Sequence, residues 1–143
     1  MRFVDTNVLL YAISRDPEES KKAARANELL SAGDIGLSVQ VLQEFYVQAT
    51  RESRLNRLTG EQAAALVDSF RRFPIQETEV GVMRAAISTS QRFWISYWDA
   101  AIIEAARTLG CEVVLSEDLN DGQDYGGVRV ENPFSDSARS GSR

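Results

Sequence analysis

Short apolar runs alternate with longer helical stretches along nearly the whole of this chain, and that alternation limits the fold more than any single motif does. Arg2 to Asp5 reads as a short buried strand, followed at once by a helix through the apolar residues Val8 to Ile13. Asp16-Pro17-Glu18-Glu19 is a helix start, with a capping residue, a proline at the first position and acids in the first turn. That helix is predicted to run to about Ala32, where Gly33 stops it. Ile35 to Ser38 makes a second strand, and a helix from about Val39, ending before Thr59, carries Val41, Leu42, Phe45 and Ala49 along one stripe. Thr59 with Gln62 forms a capping box, with Ala63, Leu66, Val67 and Phe70 at helical spacing up to Pro74. A strand from Ile75 to Glu77 precedes a helix with Val80, Met83 and Ile87; Ser96 with Asp99 opens another through Leu109, ended by Gly110. Glu112 to Leu115 is the clearest strand and Val128 to Val130 the last. Helices of about ten or more residues between strands predict right-handed crossovers. The expected class is α/β, a three-layer α/β/α sandwich around a short, mostly parallel sheet.

With 143 residues, 43% of them hydrophobic, the chain suffices for one core and is short for two, so a single domain over 1–134 is expected. Residues 135–143, rich in Ser, Arg and Gly, read as a disordered tail. No apolar run has membrane-spanning or signal-peptide length, which predicts a cytoplasmic protein with no membrane partner. The sole cysteine, Cys111, suits a reducing compartment and excludes a Cys-x-x-Cys zinc site.

Zero histidines exclude His-dependent triads, imidazole bases and His-based zinc sites together. Lys21 and Lys22 are the only lysines, so hydrolytic chemistry would rest on carboxylates, hydroxyls and arginines. Carboxylate clusters do such work by holding a hard, oxygen-loving cation. The net charge of −5 argues against a non-specific nucleic-acid binder, although acids gathered around a cation reverse their local sign. Arg51, Arg54 and Arg57 recur every third residue at a predicted helix end, a spacing that fits a solvated face somewhat better than an RNA-contacting stripe.

Four carboxylates fall where the pattern predicts burial or a strand end, the edge at which open parallel sheets bind ligands. Asp5 follows the first strand, a position that capping alone would explain. Glu44 lies beside the apolar stripe of its helix, as a solvated rim residue also could. Asp99 falls in the arc of Trp98, Ile102, Ile103 and Ala106, opposite Glu104 and Arg107, and a buried carboxylate is costly unless paired or metal-bound. A capping box with Ser96 explains its place in the first turn but not its face, so Asp99 points most strongly to function. Asp118 lies in the turn Ser116-Glu117-Asp118-Leu119-Asn120-Asp121-Gly122, where Glu117, Asp118 and Asp121 are not distinguished by the sequence alone. Convergence of such acids implies Mg²⁺ or Mn²⁺, because their mutual repulsion is otherwise severe.

Phe3-Val4-Asp5-Thr6-Asn7-Val8-Leu9, Gln43-Glu44-Phe45, Ser96-Tyr97-Trp98-Asp99-Ala100-Ala101-Ile102 and Leu115-Ser116-Glu117-Asp118-Leu119 together resemble the PIN-domain nucleases, in particular the VapC toxins of bacterial toxin–antitoxin pairs. The resemblance implies an acidic quartet of Asp5, Glu44, Asp99 and Asp118, supporting hydroxyls at Thr6 and Ser116, and Asp121 as a possible fifth, outer ligand. It also implies endoribonuclease activity, a homodimer, and a VapB-like antitoxin whose carboxy-terminal segment covers the acidic site. The expected reaction is hydrolysis of RNA by a metal-activated water, leaving 5′-phosphate and 3′-hydroxyl ends. The alternative is an RNA- or antitoxin-binding member of the fold that does not cut. An aspartyl-phosphatase reading of Asp5 fits poorly, since position 7 is Asn and no lysine lies beyond Lys22.

Overall fold

The computed structural model describes residues 1–135; the tail expected from 135 onward lies, except for Ser135, outside the described residues. Five short strands form one sheet in the order β3-β2-β1-β4-β5, with every pair parallel. They are β1 (Arg2–Val4), β2 (Ile35–Ser38), β3 (Ile75–Gln76), β4 (Val113–Leu115) and β5 (Arg129–Glu131). The central strand pairs Phe3 with Gly36 on one side and with Val114 on the other. Among the described residues six α-helices accompany the sheet: α1 (Thr6–Ala12), α2 (Ser20–Ala32), α3 (Val39–Thr50), α4 (Gly60–Phe70), α5 (Val80–Phe93) and α6 (Tyr97–Thr108). This is the expected three-layer α/β/α class.

Local chemistry explains most helix starts. Asp5, Ser38, Thr59 and Ser96 each cap the helix that follows, and Thr59 with Gln62 makes the reciprocal box read from the sequence. Asp16-Pro17 opens a 3₁₀ turn, Pro17–Glu19, which leads into α2, and Gly33 closes α2 in the left-handed conformation (φ 80°). The core joins Phe3 and Val4 of β1, Leu37 of β2 and Val114 and Leu115 of β4 to Leu9, Leu29, Val41, Phe45 and Ile103 of the helices. Among the described residues no helix is long and apolar enough to cross a membrane.

Three expectations need correction. Arg51 caps the end of α3 and Arg54 and Arg57 lie in the loop beyond it, so these arginines form no helical stripe. On α6, Glu104 is buried (4% exposed) and Trp98 exposed (64%), the reverse of the expected arcs. The cause is that α6 packs against α5 and against β2, β3 and β4, leaving Ala100 to Ala106 buried on every side. A single apolar arc cannot describe such a helix. Finally, β4 and β5 are joined by a loop without a helix, so the alternation stops before the last strand.

Candidate active site

From β1 the chain moves outward to β2 and β3, then returns to place β4 on the other side of β1. Such a reversal opens a crevice beyond the carboxyl ends of the strands on either side of it. Asp5 and Ser116 directly follow β1 and β4, on the two banks of this crevice.

Asp5 is the most deeply buried of the four acids, at 8% exposed. Its Oδ1 accepts the Thr6 N–H (2.7 Å), capping α1, and its Oδ2 accepts the Ser116 hydroxyl (2.8 Å). Capping and a place in the crevice are thus both true of it. Burial is the largest cause of a carboxyl pKa pushed up to about 6; the two hydrogen bonds oppose it, and the charges of Glu44 and Asp118 add to it.

Ser116 is fully buried and links two banks of the site. Besides donating to Asp5, its Oγ accepts from the Asp118 N–H (3.1 Å), the Leu119 N–H (3.3 Å) and Asn7 Nδ2 (3.3 Å). Asn7 Nδ2 also donates to Asp118 Oδ2 (3.2 Å), while Asn7 Oδ1 accepts the Glu117 N–H (3.2 Å). Asp118 is thereby held at the site on an exposed turn. Glu117 is drawn elsewhere, to Lys22 and the Tyr11 hydroxyl, which hold its carboxyl below the usual range despite its partial burial.

Glu44 takes one hydrogen bond on each oxygen, from the Thr6 hydroxyl (2.9 Å) and from Gln40 Nε2 (2.8 Å). Asp99 stands at the start of α6, where its backbone N–H meets Ser96 Oγ (3.1 Å). It is only partly buried, which weakens the argument that singled it out; Asp5 carries that argument better. Burial raises the Asp99 pKa, and the charges of Asp118 and Glu44 raise it further. The structure therefore places both Asp5 and Asp99 within electrostatic reach of Glu44 and Asp118. Asp121 is not among them: it is exposed, and its Oδ1 accepts the Asn132 N–H (2.9 Å).

Sequence reasoning passed over Asn7 and Gln40. The spacing of Gln40 and Glu44, one helical turn apart, was the available signal for the second. Nothing local marks the first, whose partners are more than a hundred residues away.

Oxygen donors of this kind fit a hard divalent cation. Among the described residues none of the four acids is in an ion pair, so their repulsion is uncompensated. Among the described residues no three acidic, cysteine or histidine side chains stand close enough together to hold a metal ion as they are placed.

The family model of the PIN domain matches residues 2–120. The chain belongs to the PIN-domain family. A ribonuclease of Mycobacterium tuberculosis, VapC24, is 30% identical over 145 aligned positions, covering 94% of this chain and 97% of that protein. Among solved structures, a chain of a toxin–antitoxin complex from Klebsiella pneumoniae superposes with a TM-score of 0.68 at 18% identity, covering 94% of this chain and 99% of that one. VapC20 of M. tuberculosis, described as a sarcin–ricin loop cleaving toxin, superposes with a TM-score of 0.64 at 18% identity over 82% of this chain and 90% of that one. At such identities the superpositions speak to the fold. This PIN-domain chain is thus similar in sequence to a VapC ribonuclease and in fold to VapC toxins.

Proposed function

We propose that this PIN-domain protein is a metal-dependent endoribonuclease, the toxin of a toxin–antitoxin pair. The observation that carries the reading is Asp5: a carboxylate buried at the crevice, with a raised pKa and no cationic partner among the described residues, facing the charges of Glu44 and Asp118. A purely structural residue would not need that arrangement.

Asp5, Glu44, Asp99 and Asp118 would hold one or two ions. Bound there, Mg²⁺ or Mn²⁺ supplies a Lewis acid that offsets phosphate charge and makes a water molecule nucleophilic at neutral pH. Ser116 and Thr6 fix the rotamers of Asp5 and Glu44 through their hydroxyls. Asn7 holds the Asp118 turn to the start of α1. Arg54, half-buried, borders the cavity that Asn7 and Asp118 also line, and is suited to contact a phosphate of the bound strand. With water as nucleophile, the products carry 5′-phosphate and 3′-hydroxyl ends.

The described complex from K. pneumoniae supports an antitoxin partner, here a VapB-like protein. So does the apolar trough between α3 and α4, lined by Leu42, Tyr46, Val47 and Val67. Exposed Val80, Met83 and Ile87 on α5 are consistent with a homodimer. The reading assigns the reaction to the cytoplasm, where the free Cys111 would stay reduced.

The deciding experiment incubates the purified chain with total RNA and Mg²⁺ or Mn²⁺, with and without EDTA, and maps the new ends. Metal-dependent cuts with 5′-phosphates are expected, and Asp99→Asn is expected to abolish most of them while remaining folded. Ends bearing 2′,3′-cyclic phosphate would refute the water-based reaction. RNA binding without any cutting would favour the non-catalytic alternative.

A further inference from the structure

Next to Gln40, the hydrogen-bond partner of Glu44, lies a cleft with both polar and apolar walls. Gln40 and Gln43 come from the start of α3, Glu77 and Thr78 from the loop after β3, and Tyr97 and Trp98 from the start of α6. Gln40 Nε2 donates both to Glu44 Oε1 (2.8 Å) and to the Trp98 carbonyl (3.2 Å), which ties the Trp98 backbone to the acidic site. Trp98 directly precedes Asp99 in sequence, yet the residue is 64% exposed. Its ring is held edge-on by Tyr97 (centroids 5.0 Å apart, 81° between planes), so the indole is braced rather than loose. Gln43 is exposed, and its amide has no hydrogen-bond partner among the described residues.

An exposed, braced indole is a stacking surface for an unpaired base, and a free carboxamide offers both a donor and acceptor to a base edge. We propose that this cleft binds one unpaired nucleobase of a single-stranded RNA next to the phosphate being cut, with Trp98 stacking on the base and Gln43 meeting its edge. The inference rests on the ribonuclease reading given above. The lining is mixed, with Val82, Met83 and Ala101 giving an apolar wall against which a base can lie and Gln40 and Gln43 giving amides for its edge. That pairing and the direct tie to Glu44 favour a nucleotide, and the Met83 side of the cleft makes a second copy of the chain the rival that the test must separate.

The test uses the full chain and an unstructured RNA oligonucleotide spanning a mapped cleavage site. Trp98→Ala is expected to raise KM about tenfold or more, with the loss falling on KM rather than kcat, and Trp98→Phe is expected to recover most of it. Trp94 and Trp98 are the only tryptophans, so a Trp94→Phe, Asp5→Asn chain reports from Trp98 alone without cutting its ligand. Its fluorescence is expected to be quenched by the single strand, and much less by a duplex of the same sequence. A native KM in Trp98→Ala, or an unquenched indole, overturns the proposal while leaving the ribonuclease intact. So does a Trp98→Ala chain that loses a dimer by sedimentation and regains native KM at high protein concentration, because the indole then belongs to an interface. If the native chain cuts no RNA at all, both readings fall together.

Discussion

At the scale of single residues, Asp5 sets function against stability. Its carboxyl pKa is about 6 in the folded chain, above its ordinary value, with burial as the main cause. The folded state therefore holds its proton more tightly than the unfolded state does. For this group stability is greatest at low pH and falls as pH rises from about 4 through about 6, after which the loss is complete. In EDTA, the melting temperature of Asp5→Asn relative to the native chain should therefore rise between pH 4 and pH 7, by the equivalent of up to about 3 kcal/mol. A difference flat across that range would mean that the native carboxylate has found a compensating charge. Ser116→Ala leaves Asp5 Oδ2 buried without its donor and frees the Asp118 and Leu119 amides. It should cost about 1–3 kcal/mol in a urea titration and should lower cleavage as well. Composition and periodicity show neither role: Ser116 reads as an ordinary turn residue that only the family resemblance singles out, and Asn7 as an ordinary helix-start residue, until β1 and β4 lie side by side.

At the scale of elements, starts are better written in the sequence than faces or ends. Asp5, Thr59 and Ser96 mark their helices through bonds to residues at most three positions away, which is why they could be read. The surroundings of α6 involve α5 and three strands, and no helical wheel contains them. Glu104 shows the consequence. Its carboxylate accepts from Arg107 Nε (2.9 Å) and from the Thr89 hydroxyl (2.9 Å) on α5, while Arg107 Nη1 reaches the Gly126 carbonyl (2.6 Å). One ion pair thus fastens α5, α6 and the loop after β4 together. Removing the half-exposed guanidinium by Arg107→Ala leaves the buried carboxylate with only the Thr89 hydroxyl, and should cost about 1–3 kcal/mol by denaturant titration. Glu104→Gln keeps the shape and should cost clearly less. Equal costs for the two variants would show that packing, not charge, holds these elements.

At the scale of the whole molecule, the alternation of strands and helices announced a parallel sheet, but not that β4 would insert beside β1. That long-range choice makes the crevice and brings Asp118 within electrostatic reach of Asp5, so acids read singly in the sequence come to influence one another only through the strand order. The gathering has a price in the metal-free chain, since the charges of Glu44 and Asp118 both raise the pKa of Asp5. A cation that binds the folded chain and not the unfolded one should remove that penalty. At a free concentration about a hundred times its Kd it stabilises by about 2.7 kcal/mol, which for a chain of this size is a rise in melting temperature of about 5–10 °C. Mg²⁺ and Mn²⁺ should therefore raise the melting temperature of the native chain, EDTA should reverse the rise, and Asp99→Asn should lose most of it. The rise should also shrink as pH falls below about 6, because protons then compete for Asp5. If neither ion moves the native transition, or if it moves the Asn variant equally, the acids do not act together on a metal.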